Sequence, residues 1–345
     1  PLAPGSAAAG AAVPVALMVG AWDDGWPKFS ARTRLLVIAP HPDDETLATG
    51  VLLQQVLAAG GKVCILLLTA GDNNPWPQRV LERRWRLGAA DRRRWARRRA
   101  TELQHALAAL GVPATALQSL DWPDLGVTDL LLQSTDRVVA AVRDAIDRFA
   151  PDLIAVPSLQ DRHPDHSAAH VLVRLALAGH ATPPALLAYL VHGDAGVRRA
   201  LTIPATAAQL GGKRAALQAH RSQLALSGKR LRRLAERDET YFEPDASTSA
   251  TLPWHPPRAW WRWLRLDLVT PATSRRWAWQ NAPLRRDADG MWRLELPAVA
   301  RVAPCFVRLS LDVRSPWIFD HWGWCRITAD EPISTAGVAP LDRPG

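Results

Sequence analysis

Short apolar runs alternate with helical patterns between residues 34 and 227, and this alternation constrains the fold more than any other feature. Each run carries consecutive apolar residues, which is typical of parallel strands buried on both faces of a sheet. The predicted strands cover 34–39, 62–70, 114–122, 152–157 and 185–191. The helical patterns between them cover 45–60, 92–111, 129–150 and 165–179. Repeated strand–helix units predict an α/β fold with a doubly wound, mostly parallel sheet.

The chain changes character after residue 228. Ten of its sixteen tryptophans lie beyond residue 250, and a turn-rich stretch, PDASTSATLPWHPP, precedes them. Strand patterns recur over 287–297, which contains an Asp-Gly turn, and over 305–313. The predicted architecture is therefore a Rossmann-like domain with a small, mostly β C-terminal domain appended. Since large aromatic side chains dominate small cores, we expect the tryptophans to pack in this core rather than stack on sugars.

Three parts of the chain are expected on these grounds. Residues 1–30 are Ala/Gly-rich and predict a loosely ordered arm. Residues 31–245 form the α/β domain, and 250–345 form the Trp-rich domain. The apolar stretch in the arm is too short for a membrane span, and no targeting signal is evident. We therefore expect no membrane span and a cytoplasmic location.

The net charge of +9 raises polyanions as partners. Ten arginines and two acids lie between Arg79 and Arg99. Only Trp85 and Trp95 are interleaved with them, and no nucleic-acid motif accompanies the run. A solvated helix face is the favoured interpretation, so no nucleic-acid partner is expected.

Cysteine usage is sparse. The three cysteines show no metal-type spacing, so a thiolate metal site is not expected. Cys305 and Cys325 are able to pair, but the sequence does not decide whether they do.

Two stretches containing His-Pro-Asp directly follow two of the predicted strands. The first, VIAPHPDDETLATG, places His41, Asp43 and Asp44 after strand 34–39. The second, LIAVPSLQDRHPDH, follows strand 152–157. Ligands of open α/β sheets bind beyond the carboxyl ends of the strands. Both stretches are therefore predicted at the ligand-binding edge of the sheet.

These residue types indicate a metal site. Zinc accepts histidine nitrogen and carboxylate oxygen, and a divalent cation makes adjacent carboxylates tolerable. His41 and Asp44 are three residues apart at a turn, and a third ligand from the second stretch would complete the set. Asp43 would remain beside the metal-bound water as its general base. A helix N-cap with favourable dipole charges explains one such stretch, but not two.

The motifs resemble those of the PIG-L/LmbE-like zinc N-deacetylases, which act on N-acetylglucosaminyl compounds. The family motif (A/P)HPDDE matches 40–45, and HPDH matches 163–166. Weaker matches are an Arg-x-x-Glu helix at Arg99 and Glu102, a WPDLG turn containing Asp124, and a segment from Lys213 to Gln223. The resemblance covers about residues 34–225, so 31–245 is the predicted deacetylase domain.

The resemblance implies a role for each matched residue. His41, Asp44 and His166 would bind Zn²⁺, although these ligands also accept iron, cobalt or manganese. Asp43 would be the general base. His163 would stabilise the oxyanion or protonate the amine, and Asp165 would orient His163. Arg99 and Asp124 would bind substrate.

The sequence thus predicts a zinc-dependent N-deacetylase that removes the acetyl group from an N-acetylglucosamine-containing conjugate. One alternative keeps this chemistry but cleaves a larger acyl amide, as in an antibiotic or thiol conjugate. A polyanion-binding protein that uses the arginine run, or a carbohydrate-binding module in the Trp-rich tail, would leave the two His-Pro-Asp stretches unexplained. The oligomeric state is not predicted.

Overall fold

The computed structural model describes residues 28–193, 200–244, 251–295, 304–313 and 318–327. Its helices are α1 (Asp44–Ala58), α2 (Pro75–Glu82), α3 (Ala89–Ala109), α4 (Val127–Gln133), α5 (Thr135–Phe149), α6 (Pro164–Ala176), α7 (Ala207–Ala219) and α8 (Arg221–Glu236). The first seven strands are β1 (Arg34–Ala39), β2 (Lys62–Thr69), β3 (Leu117–Trp122), β4 (Leu153–Pro157), β5 (Ala185–Tyr189), β6 (Ala200–Thr202) and β7 (Thr240–Phe242). The other seven are β8 (Thr251–Leu252), β9 (Leu264–Val269), β10 (Ser274–Ala278), β11 (Leu284–Arg286), β12 (Trp292–Leu294), β13 (Cys305–Leu311) and β14 (Gly323–Ile327). The arm expected over 1–30 lies almost wholly outside the described residues.

The central sheet has seven strands in the order β3-β2-β1-β4-β5-β7-β6. Strands β3, β2, β1, β4 and β5 are mutually parallel, whereas β7 pairs antiparallel with β5 and β6. The predicted mixed α/β fold with a mostly parallel sheet is therefore confirmed. Because the chain order reverses between β1 and β4, the carboxyl ends of these two strands open a crevice.

Strand β1 is buried on both faces, as its unbroken apolar run predicts. Leu35 and Val37 pack in one core with α1, α3 and α7, while Leu36 and Ile38 pack in a second core with α5 and α6. Helices thus cover both faces of the sheet, and polar side chains near β1 are confined to its ends.

The single helix predicted over 129–150 is instead two helices, α4 and α5. They meet at Ser134, whose φ of −143° and ψ of 44° are not helical. Ser134, Thr135 and Asp136 are residue types that begin helices more readily than they continue them. The local sequence therefore starts a new helix where the apolar periodicity alone continued the old one.

The described residues beyond 250 make up the C-terminal module. They form a four-stranded sheet, β10-β9-β13-β14, and a three-stranded sheet, β11-β12-β8. The Asp-Gly turn joins β11 to β12, with Gly290 in a left-handed conformation at φ 78°. Trp254 and Trp279 are buried in the core of this module, as predicted. Cys305 and Cys325 are free thiols on the paired strands β13 and β14.

The C-terminal module shares a core with the α/β domain. Val269, Phe306 and Trp324 pack in the same cluster as residues of β1, α5 and α6. Ser274 Oγ also donates a hydrogen bond to the Leu132 carbonyl at 2.6 Å. The boundary expected at 245–250 falls outside the described residues and stays a prediction.

Among the described helices, none combines the length and the apolarity that crossing a membrane requires.

Candidate metal centre and active site

The carboxyl ends of β1 and β4 bring the two His-Pro-Asp stretches together. The Pro40 carbonyl accepts hydrogen bonds from the N–H of Thr69 (3.0 Å) and from its hydroxyl (2.9 Å), which ties the end of β1 to the end of β2. The chain then turns at His41, and Asp44 is the first residue of α1. In the loop after the neighbouring strand β4, His163 directly precedes α6.

Three side-chain atoms of these stretches form a nearly equilateral triangle. His41 Nδ1 lies 3.3 Å from Asp44 Oδ2 and 3.2 Å from His166 Nε2. The distance from His166 Nε2 to Asp44 Oδ2 is 3.1 Å. The three residues expected to bind metal therefore converge on one point, as the spacing of the motifs indicates.

The triangle has the dimensions of a zinc site. Ligands about 2.0–2.1 Å from a tetrahedral zinc ion are separated by about 3.3 Å. Six buried carboxylates lie around His41, His163 and His166. They belong to Asp43, Asp44, Glu45, Asp124, Asp161 and Asp165. So much buried negative charge favours a cation. The donor set therefore fits a divalent metal such as zinc.

Further donors surround the triangle. Ligand atoms of His41, His163 and His166 lie within 4.8 Å of one another, as do those of Asp44, His166 and His192. A third set, His41 with Asp124 and Asp165, meets the same criterion, so His41 and His166 each belong to two of the three sets.

Asp161 holds the second stretch in place. Its Oδ2 lies 3.1 Å from His166 Nδ1 and accepts the backbone N–H groups of Val191 and His192 at 2.9 and 3.0 Å. Its Oδ1 accepts the N–H of His163 at 2.9 Å. A carboxylate in this position fixes the ring orientation of a metal-binding histidine. Asp161 is not among the residues predicted from the motifs, because its only local signal is an acid two residues before the second His-Pro-Asp motif.

Asp165 and Asp124 contact His41. Their carboxylate oxygens each lie 3.3 Å from His41 Nε2, on the ring edge opposite the triangle. Burial opposes protonation of His41, but the nearby carboxylates raise its pKa well above the usual value. Asp165 also accepts the N–H groups of Leu125 and Val127 at 2.7 and 3.1 Å.

The structure therefore corrects the expectation that Asp165 orients His163. The hydrogen bond between them runs from the Asp165 backbone N–H to His163 Nδ1, at 3.3 Å. The carboxylate turns instead towards His41, because the N–H groups of Leu125 and Val127 face it between β3 and α4. Asp124 lines the pocket, and its carboxylate contacts His41 Nε2 and accepts the backbone N–H of Asn73.

Asp43 adopts a strained backbone conformation beside the triangle. Its φ of 133° is rare for a residue with a side chain. The Glu45 carboxylate accepts the Asp43 N–H at 3.0 Å, and Glu45 itself lies 3.3 Å from the buried His220. Burial raises the pKa of Asp43 to about 6, while the charge of Arg99 opposes the shift and that of Asp44 adds to it. A buried carboxylate with a pKa in this range is suited to accept a proton.

Arg99 is buried against the first motif. It donates hydrogen bonds to the carbonyls of Pro42 (2.5 Å) and Gly71 (2.8 Å), and it lies 3.3 Å from Asp43 Oδ1. The neighbouring Arg98 is half-exposed and pairs with Glu102 at 3.1 Å, so Arg99 is the arginine at the site. Two of its terminal donors contact the protein, so Arg99 positions Asp43, while its buried Nε has no hydrogen-bond partner among the described residues. Arg99 also lines the cavity, and its expected role in substrate binding stays a prediction.

His163 faces the site as a neutral ring. Burial and the neighbouring His41 and His166 lower its pKa well below the usual value. Because Nδ1 accepts the Asp165 N–H, the ring proton is assigned to Nε2. His192 packs 5.3 Å from His163 between ring centroids, and burial, followed by the charge of His166, lowers its pKa to about 3.

A cavity of about 880 Å³ opens above these residues. His41, Asp43, Asp44 and His163 contribute to its floor, and the remaining lining combines apolar side chains with arginines and other polar residues such as Asp124. Ligand pockets range from about 300 to 1,000 Å³. The cavity is therefore large enough for a conjugate rather than a lone monosaccharide.

Fold and site define an α/β domain with a candidate metal centre at the carboxyl edge of its sheet. Residues 36–177 match the family model described as PIG-L: GlcNAc-PI de-N-acetylase. This part of the chain is thus similar to that family, and the resemblance indicated by the motifs is confirmed.

Curated relatives share this part of the chain. The 1D-myo-inositol 2-acetamido-2-deoxy-alpha-D-glucopyranoside deacetylase of Mycolicibacterium vanbaalenii is 32% identical over 162 residues, which are 42% of this chain and 54% of that protein. The enzyme of the same name from Mycolicibacterium gilvum is 30% identical over 182 residues, which are 48% and 61% of the two chains. The chain therefore spans a little over half the length of the curated relatives it matches.

Among solved structures, a deacetylase from the biosynthesis pathway of teicoplanin is 21% identical. The match covers 59% of this chain and 90% of that chain, with a TM-score of 0.47.

Proposed function

We propose that this protein is a metal-dependent hydrolase that removes the N-acetyl group from an N-acetylglucosamine-containing conjugate. The observation that carries the proposal is the triangle of His41, Asp44 and His166, with its donor atoms 3.1–3.3 Å apart on the floor of the cavity. The curated relatives are named as deacetylases of an acetamido sugar linked to inositol. Motif, geometry and relatives support the same chemistry.

A divalent metal held by the triangle would polarise the acetyl carbonyl and acidify the attacking water. Asp43 lies next to Asp44 and takes the proton of that water. Its raised pKa makes it an effective base near neutral pH, and the contact with Arg99 holds its carboxylate in one orientation. Asp161 and Asp165 fix the rings of His166 and His41, respectively.

His163 stabilises the negative charge that develops on the acetyl carbonyl oxygen. Its Nε2–H donates a hydrogen bond to the oxyanion of the tetrahedral intermediate. The proton taken up by Asp43 then passes to the departing nitrogen, which leaves as an amine together with acetate. A neutral His163 suits this role at the oxyanion, because its Nδ1 accepts the Asp165 N–H and its Nε2–H is left to donate.

The acyl group is the part of the substrate that the geometry constrains least. A larger acyl amide remains the alternative of the same class, because the cavity of about 880 Å³ has room for it. Release of acid from a panel of N-acyl glucosamine conjugates, with acyl chains from acetyl to octanoyl, separates the two. A decline in rate with chain length supports deacetylation.

Polyanion binding is less well supported. Arginines of the basic run pair locally, since Arg84 contacts Asp91, and Arg94 contacts both Glu82 and Asp91. The absence of a nucleic-acid partner and the cytoplasmic location stay predictions.

Asp43→Asn tests the proposal. We expect the variant to bind zinc as the wild type does, but to lose about 10²–10⁴-fold in acetate release from the acetamido sugar linked to inositol. Metal content and acetate release are measured on the same preparation. Asp144→Asn, at an exposed position on α5, is the matched control and should retain full activity. Full activity of Asp43→Asn would remove Asp43 from the mechanism.

A further inference from the structure

The C-terminal module contributes part of the cavity wall. Ile318 and Phe319 line the cavity, although they lie about 140 residues beyond the end of the PIG-L match at residue 177. The Phe319 ring centroid lies 6.1 Å from that of His163 and 5.2 Å from that of His192. The module therefore reaches the residues that are proposed to act on the substrate.

Hydrogen bonds of Asp320 hold this part of the cavity wall to both the α/β domain and the C-terminal module. The N–H of Asp320 donates to the Arg162 carbonyl of the α/β domain at 2.8 Å. The Asp320 carboxylate accepts two hydrogen bonds from Arg308 of β13, at 3.0 and 2.5 Å. Such paired contacts between a guanidinium and a carboxylate fix orientation as well as adding energy.

A second buried carboxylate supports the anchor. Asp267 of β9 is fully buried and lies 3.6 Å from Arg308. Arg308 is itself buried, so its charge is shared between Asp320 and Asp267. The position of Phe319 beside His163 is therefore built into the fold of the module.

The lining of the cavity includes exposed apolar side chains. Three of its lining residues are large apolar side chains with high exposure: Trp76 at 53%, Leu226 at 50% and Ile318 at 42%. Exposed apolar side chains gathered at one cleft mark a ligand-binding surface.

We propose that Ile318 and Phe319 form an aglycone subsite that selects amino sugars carrying an apolar aglycone. The inference rests on the proposed function and deepens it. The scissile amide lies over the metal triangle, and the aglycone extends from there along Phe319 towards the exposed Ile318. The C-terminal module thus determines specificity, while the α/β domain performs the chemistry.

The test compares the methyl and benzyl α-glycosides of N-acetylglucosamine as substrates. We expect the wild type to prefer the benzyl glycoside by about tenfold in kcat/KM, chiefly through KM, because the ring buries apolar surface. Phe319→Ala should reduce this preference below threefold. Phe319→Leu should retain part of the preference. Trp260→Ala, a partly exposed aromatic of the same module outside the cavity lining, should behave as the wild type.

Binding of the benzyl and methyl glycosides of glucosamine, measured by calorimetry, separates this inference from the proposed function. Tighter binding of the benzyl form that Phe319→Ala abolishes supports the subsite, even if no acetate is released. Acetate release without a benzyl preference overturns the subsite and leaves the proposed function intact. An equal loss on both glycosides in Phe319→Ala also overturns it, since Phe319 then acts only through His163.

Discussion

Asp43 and Asp44 are adjacent and chemically alike, and their surroundings separate their properties. Both are buried, which favours the neutral acid. For Asp44, His166 and His41 outweigh burial and lower its pKa well below the usual value. For Asp43, burial dominates and raises its pKa to about 6. One aspartate is thus held as an anion suited to a cation, and its neighbour is able to exchange a proton.

The contact between Asp161 and His166 is testable by substitution of a single residue. Asp161→Asn removes the charge that faces His166 Nδ1 while preserving the size of the side chain. We expect zinc affinity to fall by about 10–100-fold, as for other partners of metal-binding histidines. Competition with a chromogenic chelator measures the affinity. Asp144→Asn again serves as control, and unchanged affinity in Asp161→Asn would show that His166 is oriented by other contacts.

Residue patterns predicted which side chains meet in the site, but not all of their contacts. The spacing of His41 and Asp44 at a strand end was sufficient to place both at one point. The predicted partner of Asp165 was wrong. The contacts of its carboxylate depend on the loop after β3, which is distant in sequence. Asp161 was missed for a similar reason, since its four partners come together only when β4 and β5 pair.

At the scale of elements, the weaker motif residues connect helices. Glu102 of α3 accepts the N–H of Ser222 at 3.0 Å and its hydroxyl at 2.5 Å, so it caps the start of α8. Lys213 of α7 forms a buried ion pair with Glu239 at 2.7 Å. Glu239 also accepts two N–H groups of α1, those of Val51 and Leu52, at 2.7 and 3.0 Å. These residues hold α1, which carries Asp44, against the helices that cover it.

Lys213→Ala is predicted to destabilise the protein substantially. The substitution leaves the Glu239 carboxylate buried without its cation, which typically costs about 3–5 kcal/mol. Urea denaturation followed by circular dichroism measures the loss. Lys62→Ala, on an exposed strand end, should change the free energy of unfolding by less than about 0.5 kcal/mol. A similarly small change for Lys213→Ala would mean that Glu239 finds another partner.

At the scale of the whole molecule, the α/β domain and the C-terminal module share one core. Phe306 is fully buried in the cluster that also contains Ile38 and Leu172. Because the two parts bury apolar surface against each other, we expect them to unfold together. The predicted mostly β tail is thus also a structural partner of the sheet that carries the site.

Phe306→Ala tests this coupling. The cavity it leaves should cost about 3–5 kcal/mol, and the transitions seen by tryptophan fluorescence and by far-ultraviolet circular dichroism should shift together. Most tryptophans lie in the C-terminal module and most helices in the α/β domain, so the two probes report different parts. Trp263→Ala, at a partly exposed position, is the control. Two separate transitions would contradict the shared core.

The sequence by itself determined the parallel strands of the central sheet and the edge at which the candidate metal ligands lie. Consecutive apolar residues specify buried parallel strands, and parallel strands of one sheet end at a common edge. His41 and Asp44 were predicted as ligands from their spacing at a strand end, whereas His166 was expected from the resemblance of the HPDH motif to the family. Local patterning failed where a competing local signal existed, as at Ser134.

Only the tertiary structure decided which side chains support the ligands and what encloses the pocket. The contacts of Asp161, Asp165 and Arg99 join segments that are far apart in sequence, and the wall formed by Phe319 comes from a different module. Such contacts depend on how elements pack, and packing is set by the summed burial of many apolar side chains rather than by any short motif. Short motifs therefore carry the residues that are proposed to act on the substrate. The packing of distant segments positions these residues and forms the wall of the pocket.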